Sequence, residues 1–255
     1  MRLSRGDGHQ LENFLLRRRR DEKTTVNELI DARKLPPRQI LADGVYDTIK
    51  GLLMDQSIIP ESRINIDKLA RELQVSPTPV REALARLESE GLVTKAALRG
   101  YSAAPLLTLS SFTQLFELRL LLEPVIARKA ATLLTEEDLR TLEQLVFEMR
   151  EVRVGQSYQE YQQLAMADAA FHDILARVCG NVFFQDTLER IHAHMHLYRL
   201  YFHTGIAPET IAEHREILNA LRQRDTEAAA RAMARHLEQA HLRLSPELEK
   251  QFHQK

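Results

Sequence analysis

Nine of the chain's ten histidines fall after residue 170, and some of them are spaced in a way that can do chemistry. Asp168 and His172 stand four apart in LAMADAAFHDIL, which puts a carboxylate and an imidazole on one face of a helix. His214 lies ten residues before Arg224, and His236 eleven after Asp225. A turn at Arg224-Asp225 between antiparallel helices brings those two imidazoles level. Three imidazoles and one carboxylate can then converge at mid-bundle, which invites a metal reading. Each residue alone reads as an ordinary core or surface side chain; only the joint arrangement points to a site. His192, His194 and His196 follow one another at a spacing of two, which scatters them around a helix. They read as cavity lining or surface, with His196 the member considered for an approach to an ion.

A second constellation lies earlier, in LARELQVSPTPVREALARLESEGLV, residues 69–93. Thr78 can cap a helix whose first turn holds Pro79, where a missing N–H costs nothing. The positive end of that helix, with its free N–H groups, suits a phosphate, and Arg81 stands in the turn that meets base edges in a reading helix. Lys68, Arg71, Lys95 and Arg99 are phosphate candidates. An arginine such as Arg119, in the apolar run FELRLLLEP, needs either an anionic ligand or the carboxylate of Glu123 one turn on.

The elements that must position these groups follow from periodicity. A helix fits Asp43 to Asp55, with Val45, Ile49, Leu52 and Leu53 on one side. A second carries Ile66, Leu69, Ala70 and Leu73; a third carries Val80, Ala83, Leu84 and Leu87 and stops at Gly91. Residues 92–104 read as a small hairpin. Three short helices and a hairpin make the plan of a winged helix-turn-helix. After Pro105 the pattern is almost continuously helical, with segments 110–133, 136–154, 158–179, 182–203, 209–223 and 226–244. Thr135 with Asp138, Ser157 with Glu160, and Asp225 read as caps; Gly155, Gly180 and Gly205 read as stops. The fold class is therefore mainly α: an N-terminal winged helix-turn-helix with a β-hairpin wing, then an all-α bundle of about six helices. The organisation is a basic extension over 1–39, a reading domain over 40–107 and a helical domain over 108–250.

Composition agrees with that plan and limits the alternatives. Gly and Pro number only 9 each, Trp is absent, and 44% of residues are hydrophobic, so long helices with a buried core are favoured over a sandwich or a disordered chain. The lone Cys179 rules out a disulfide framework and cysteine-rich metal sites, and fits a reducing cytoplasm. No run approaches the apolar length of a membrane span, and the first residues lack the apolar stretch of a secretory signal. The formal net charge of −1 argues against a nucleic-acid partner until it is resolved along the chain. Residues 1–40 sum to +4, with Arg17 to Arg20 in a row, residues 41–107 to −1 and residues 108–255 to −4. The basic arm reads as a solvated tail, or as an arm on DNA phosphates.

The segment 69–93 resembles the turn of the GntR family of bacterial transcription regulators, LA-x-x-L-x-VS-x-TPVREAL-x-x-L-x-x-x-GL-[VI]. Arg99-Gly100-Tyr101 resembles the family's wing. The resemblance implies DNA contacts from Ser76, Thr78, Pro79, Arg81, Arg99 and Gly100. Pro77 stands where many members carry an arginine, and Asp67 lies near a position that is basic in some. The later pattern of Asp168, His172, Glu213-His214 and His236 resembles the metal site of the FadR-like branch, whose helical domain is the FCD domain. That likeness implies a divalent ion, zinc foremost, with nickel and manganese as the other fits to nitrogen and oxygen donors. It also implies a small carboxylate effector at the ion, with Arg119 and, as second choice, Arg199 as cationic partners, and a homodimer on a pseudo-palindromic double-stranded operator. A pure metal-ion sensor and a metal-dependent hydrolase are the alternatives. Against the hydrolase, the chain has no H-E-x-x-H, no G-x-S-x-G and no Gly-rich phosphate loop.

Overall fold

The computed structural model describes residues 38–151, 158–201 and 208–253. Arg17 to Arg20, Gly155, Ser157 and Gly205 lie outside the described residues. Helix α1 runs Arg38–Met54, five residues earlier than the expected start at Asp43. The reason is local: Arg, Gln, Ile, Leu and Ala at 38–42 all tolerate a helix, so nothing stops it growing back toward the prolines. Val45, Tyr46, Ile49 and Leu53 form its buried face.

A two-residue strand β1 (Arg63–Ile64) follows, then α2 (Ile66–Glu72), α3 (Pro77–Ser89), β2 (Val93–Ala96) and β3 (Gly100–Ala103). The three strands form one antiparallel sheet in the order β1-β3-β2. Tyr101 pairs with Ile64 on one side and Lys95 on the other. Strand β1 is too short for any alternation to mark it in the sequence; pairing with the hairpin creates it. Asn65 starts α2 by accepting the N–H of Lys68 at 2.9 Å. In α3 the apolar residues Val80, Ala83, Leu84 and Leu87 are all buried, the i, i+3, i+4, i+7 stripe that seats the helix. Its start differs from expectation. Ser76, not Thr78, holds the cap position, with no side-chain hydrogen bond, and Pro77 opens the helix. Proline has the φ of a first helical residue and no N–H to leave unpaired, so Pro77 displaces the cap two residues upstream. Gly91, at φ +73°, ends α3, and its left-handed backbone is one glycine tolerates best.

The remaining helices are α4 (Leu109–Leu133), α5 (Glu136–Glu151), α6 (Tyr158–Val178), α7 (Val182–Ile191), α8 (Ala193–Tyr201), α9 (Pro208–Arg222) and α10 (Thr226–His253). Their caps are visible. Thr108 and Ser111 bond reciprocally at the start of α4, and Thr135 and Asp138 do so at the start of α5. Asp225 accepts the N–H of Ala228 at the start of α10. Arg224 closes the other end of α4 by donating to the carbonyl of Leu134 at 2.5 Å. Helix α10 passes through Pro246 instead of stopping at 244. The expected helix 182–203 is divided in two at His192, which adopts the left-handed conformation at φ 43° and ψ 40°. No Gly or Pro lies in that stretch, so the sequence carries no breaker; at the break, His192 Nε2 lies 3.3 Å from the carbonyl of Ser89. Helices α4 and α10 pack along each other, α9 joins α10 as an antiparallel pair, and α6 crosses α4 and α5. Phe171, Leu175, Ile217, Leu221, Ala229 and Leu237 fill the space between them. Among the described residues, no helix is long and apolar enough to cross a membrane.

Candidate metal centre and nucleic-acid interface

The bundle buries polar groups at its centre, where apolar side chains would cost less. Asp168 and His172 on α6, His214 on α9 and His236 on α10 are each less than a tenth exposed. Helix α6 presents the first pair one turn apart, and the Arg224 turn levels the other two, whose ring centroids lie 4.5 Å apart. His172 stands 5.6 Å from His214 and 5.4 Å from His236, centroid to centroid.

The protons decide what the cluster can hold. His172 Nδ1 donates to Glu123 at 2.5 Å, His214 Nδ1 to the carbonyl of Thr210 at 2.8 Å, and His236 Nδ1 to Glu213 at 3.0 Å. Each acceptor fixes a tautomer whose Nε2 carries a lone pair. For His172 and His214 that Nε2 is buried with no hydrogen-bond partner. His214 Nε2 faces Asp168 Oδ1 at 3.0 Å, so a lone pair meets a carboxylate oxygen. A cation must lie between them, either a proton or a metal ion. Three imidazole nitrogens gather there within the reach of one ion, and Asp168 forms an overlapping group with His172 and His194. Neutral nitrogen and carboxylate oxygen at this spacing fit a borderline transition ion.

The electrostatics agree. Burial alone would raise the Asp168 carboxyl, yet the close approach of His214, which pairs with it when protonated, and the charges of His194 and His172 hold it well below the usual range. Burial works against a charged His214, but Asp168 outweighs it and raises that imidazole. Burial and the charge of His214 push His236 down to about 4, which keeps its ring neutral, as a ligand must be.

Arg119 sits at the rim of this cluster, 2% exposed. It binds Glu123 through Nε at 2.5 Å, so the structural ion pair is present. Its Nη2 also lies 3.2 Å from His194 Nε2, and the guanidinium therefore remains beside the cluster. Glu123 lies between Arg119 and His172, and these two hold its carboxylate low against the effect of burial. Arg199 is placed elsewhere. Its guanidinium donates to the carbonyls of Ala104 at 2.9 Å and Pro105 at 3.4 Å, a connector role instead of an effector role. The sequence could not tell the two apart, since a buried arginine needs oxygen atoms of either origin. His194, not His196, meets the buried cluster: its Nε2 is 3.5 Å from Asp168 Oδ2 and its ring 4.6 Å from that of His172. The left-handed break at His192 resets the helical phase, so spacing rules applied to an unbroken helix point to the wrong histidine.

On the reading domain, the earlier start of α3 at Pro77 puts Arg81 in its second turn, from which it lines a cleft of about 420 Å³ with Arg63, Asn65, Asp67, Gly100 and Tyr101. Ser76, Thr78, Lys68, Arg71, Lys95 and Arg99 are exposed around it, while Pro79 is buried at the helix start. Lys95 leans over the Tyr101 ring at 5.3 Å, on the hairpin. Arg86, further along α3, instead bonds Asp43 at 2.7 Å and stacks on the Tyr46 ring at 3.9 Å.

A three-helix head with a reading helix and a wing, joined to an all-helical bundle, defines the winged helix-turn-helix class of DNA-binding regulators. Two family models match the chain: the gntR family of bacterial regulatory proteins over residues 41–101, and the FCD domain over residues 114–239. The NanR repressor of Klebsiella aerogenes is 31% identical over 246 residues, covering 85% of this chain and 90% of the relative. The RspR repressor of Escherichia coli is 26% identical over 208 residues, covering 81% and 90%. In fold the chain is similar to Escherichia coli McbR/YncC, with a TM-score of 0.61 and 24% identity over 80% of this chain and 96% of that one. It is equally similar to a GntR regulator of Rhodococcus sp. RHA1, at a TM-score of 0.60 and 22% identity, with the same coverage. The protein belongs to the GntR family, in the branch that carries an FCD domain, and it is a bacterial transcriptional regulator, not an enzyme.

Proposed function

We propose that the protein is a cytoplasmic, homodimeric transcription repressor that reads a pseudo-palindromic operator and responds to a small carboxylate metabolite bound over a metal ion. Residues 40–107 form the reading domain, residues 108–250 the sensing and dimerising domain, and residues 1–39 a basic extension. Asp168, His172, His214 and His236 hold the ion. The observation that carries this reading is the grouping of the three imidazoles: each Nδ1 is held by an oxygen acceptor, and one ring nitrogen from each lies within 4.8 Å of the others. An ion held by four protein ligands keeps positions open for a carboxylate. Arg119, held by Glu123 against His194, supplies positive charge beside it.

The repressor names of NanR and RspR support repression as the sense of regulation; effector binding then releases DNA. For that, the effector must bind the DNA-free and DNA-bound states with different affinity. A second reading, in which the ion itself is the signal, rests on the same cluster. Protein purified without chelator, weighed by native mass spectrometry and then used to select from random duplex DNA, tests both halves. The expected result is a dimer with one transition ion per chain that enriches an inverted repeat. A metal-free chain that takes up no zinc would overturn the metal site, and a selected sequence without a dyad would overturn the dimeric operator.

A further inference from the structure

Helix α8 is nine residues long and touches two distant parts of the molecule. Near its start, His194 meets Arg119, Asp168 and the His172 ring in the cluster. The same short segment holds the reading domain at three places. His192 Nε2 lies 3.3 Å from the carbonyl of Ser89, at the end of α3. The His196 ring covers Gly91, with Nε2 3.4 Å from where a β-carbon on that glycine would stand. The Arg199 guanidinium grips the connector through Ala104 and Pro105, and the Arg199 carbonyl accepts from Gln56 Nε2 at 2.7 Å. His194 and Arg199 are five residues apart, about 7.5 Å along a helix at 1.5 Å per residue, with no Gly or Pro between them to absorb a displacement.

We propose that α8 is the element through which occupancy of the cluster reaches the DNA-reading helix. A group entering between Arg119 and Asp168 displaces or captures His194, and α8 pivots at the left-handed His192. His196 and Arg199 then shift the end of α3 and the connector together. Packed elements of this kind have discrete seatings, so a small displacement at one end becomes a changed placement at the other. The proposal rests on the metal reading of the cluster for its natural trigger, but the linkage itself is a property of α8.

The test uses full-length, chelator-stripped protein and zinc as the probe. Zinc uptake is measured by competition with a chromogenic chelator, and amide hydrogen exchange is followed over residues 86–92 and 103–107. In the wild type, zinc slows exchange in both segments by about threefold or more, because these backbone bonds open by local fluctuation. In Arg199→Gln the effect over 103–107 disappears while zinc affinity stays within about twofold. Gln56→Ala, at a half-buried position, weakens the same effect and guards against a fold defect in the arginine variant. Zinc uptake with unchanged exchange in both segments overturns the linkage and leaves the metal site intact. Absence of zinc uptake overturns the metal reading, and the linkage is then decided by His194→Ala without metal. Altered exchange over 86–92 and 103–107 supports it, and wild-type exchange refutes it.

Discussion

Replacing Asp168 by asparagine separates a cation site from an ordinary buried ion pair, because the two make opposite predictions in the absence of metal. As a plain ion pair with His214, the carboxylate at 3.0 Å would be one of two mutually dependent buried charges. Removing one partner of such a pair costs about 3–5 kcal/mol. At about 2.1 cal/mol/K of unfolding entropy per residue, the compact unit Ala42–Lys255 loses about 0.45 kcal/mol per degree, so Tm would fall by about 7–11 °C. As a cation site the arithmetic reverses. At a pH above the raised range of His214, chelator-treated protein holds a buried carboxylate against an imidazole lone pair. Asparagine of the same shape offers an N–H to His214 Nε2 and removes an unneutralised charge, so Tm in chelator stays level or rises. Zinc at a hundredfold excess over its dissociation constant then stabilises the wild type by about 2.7 kcal/mol, or about 6 °C, and the variant hardly at all. Thermal unfolding of both proteins, with chelator and with zinc, is the assay. A large fall for Asp168→Asn in chelator, with equal zinc shifts in the two proteins, would refute the reasoning.

Three further outcomes follow from single contacts. Arg81→Ala should weaken binding to the selected operator by about 1–3 kcal/mol while leaving random-sequence DNA less affected, as titrations on both duplexes would show; equal weakening on the two would make Arg81 a phosphate contact. Arg224→Ala removes the donor that closes α4 at Leu134, from a side chain 38% exposed, and should cost about 1–2 kcal/mol in urea unfolding. Asp138 is held below its ordinary value of 3.8 by bonds from Thr135 and then Arg177. Its folded value being the lower one, its contribution is complete above about pH 4 and fades as pH falls through the depressed value. The stability difference between wild type and Asp138→Asn should therefore narrow on acidification toward about pH 3.

How much of this was legible in the sequence depended on whether a feature was local. The reading helix announced itself through Pro79, Arg81 and a clean apolar stripe, and the bundle through periodicity and caps such as Thr135 and Asp225. The convergence of His214 and His236 followed from counting residues to a turn, since helical rise is fixed. Features made by distant contacts were not legible. Strand β1 exists only because Ile64 meets Tyr101. The break at His192 has no composition signal, and through it the choice between His194 and His196 was lost. Arg199 gave the same signal as a ligand-binding arginine until the connector carbonyls were seen beside it. Pro77 misled in a smaller way: the cap motif beginning at Thr78 is sound in isolation, but a second proline upstream opens the helix first.

The charge distribution gives the reading domain its character. Its sum is −1 over residues 41–107, and several of its cations are already engaged. Lys50 is bound to Glu90 at 3.0 Å, Arg86 to Asp43, and Lys68 stands 3.8 Å from Glu72. Arg63 and Arg81 line the cleft at the reading helix, with Arg71, Lys95 and Arg99 exposed beside it, but Asp67 lines the same cleft. A domain with a general electrostatic pull would bind any duplex and slide along it. This one has little such pull, so in the proposed dimer its preference for one sequence comes from a few placed contacts and from two copies meeting two half-sites together. That dependence on geometry is what makes a clamp such as α8 effective. Where affinity comes from bulk charge, a small shift of the reading helix changes little. Where it comes from the registered placement of Arg81 and the wing, the same shift removes most of it.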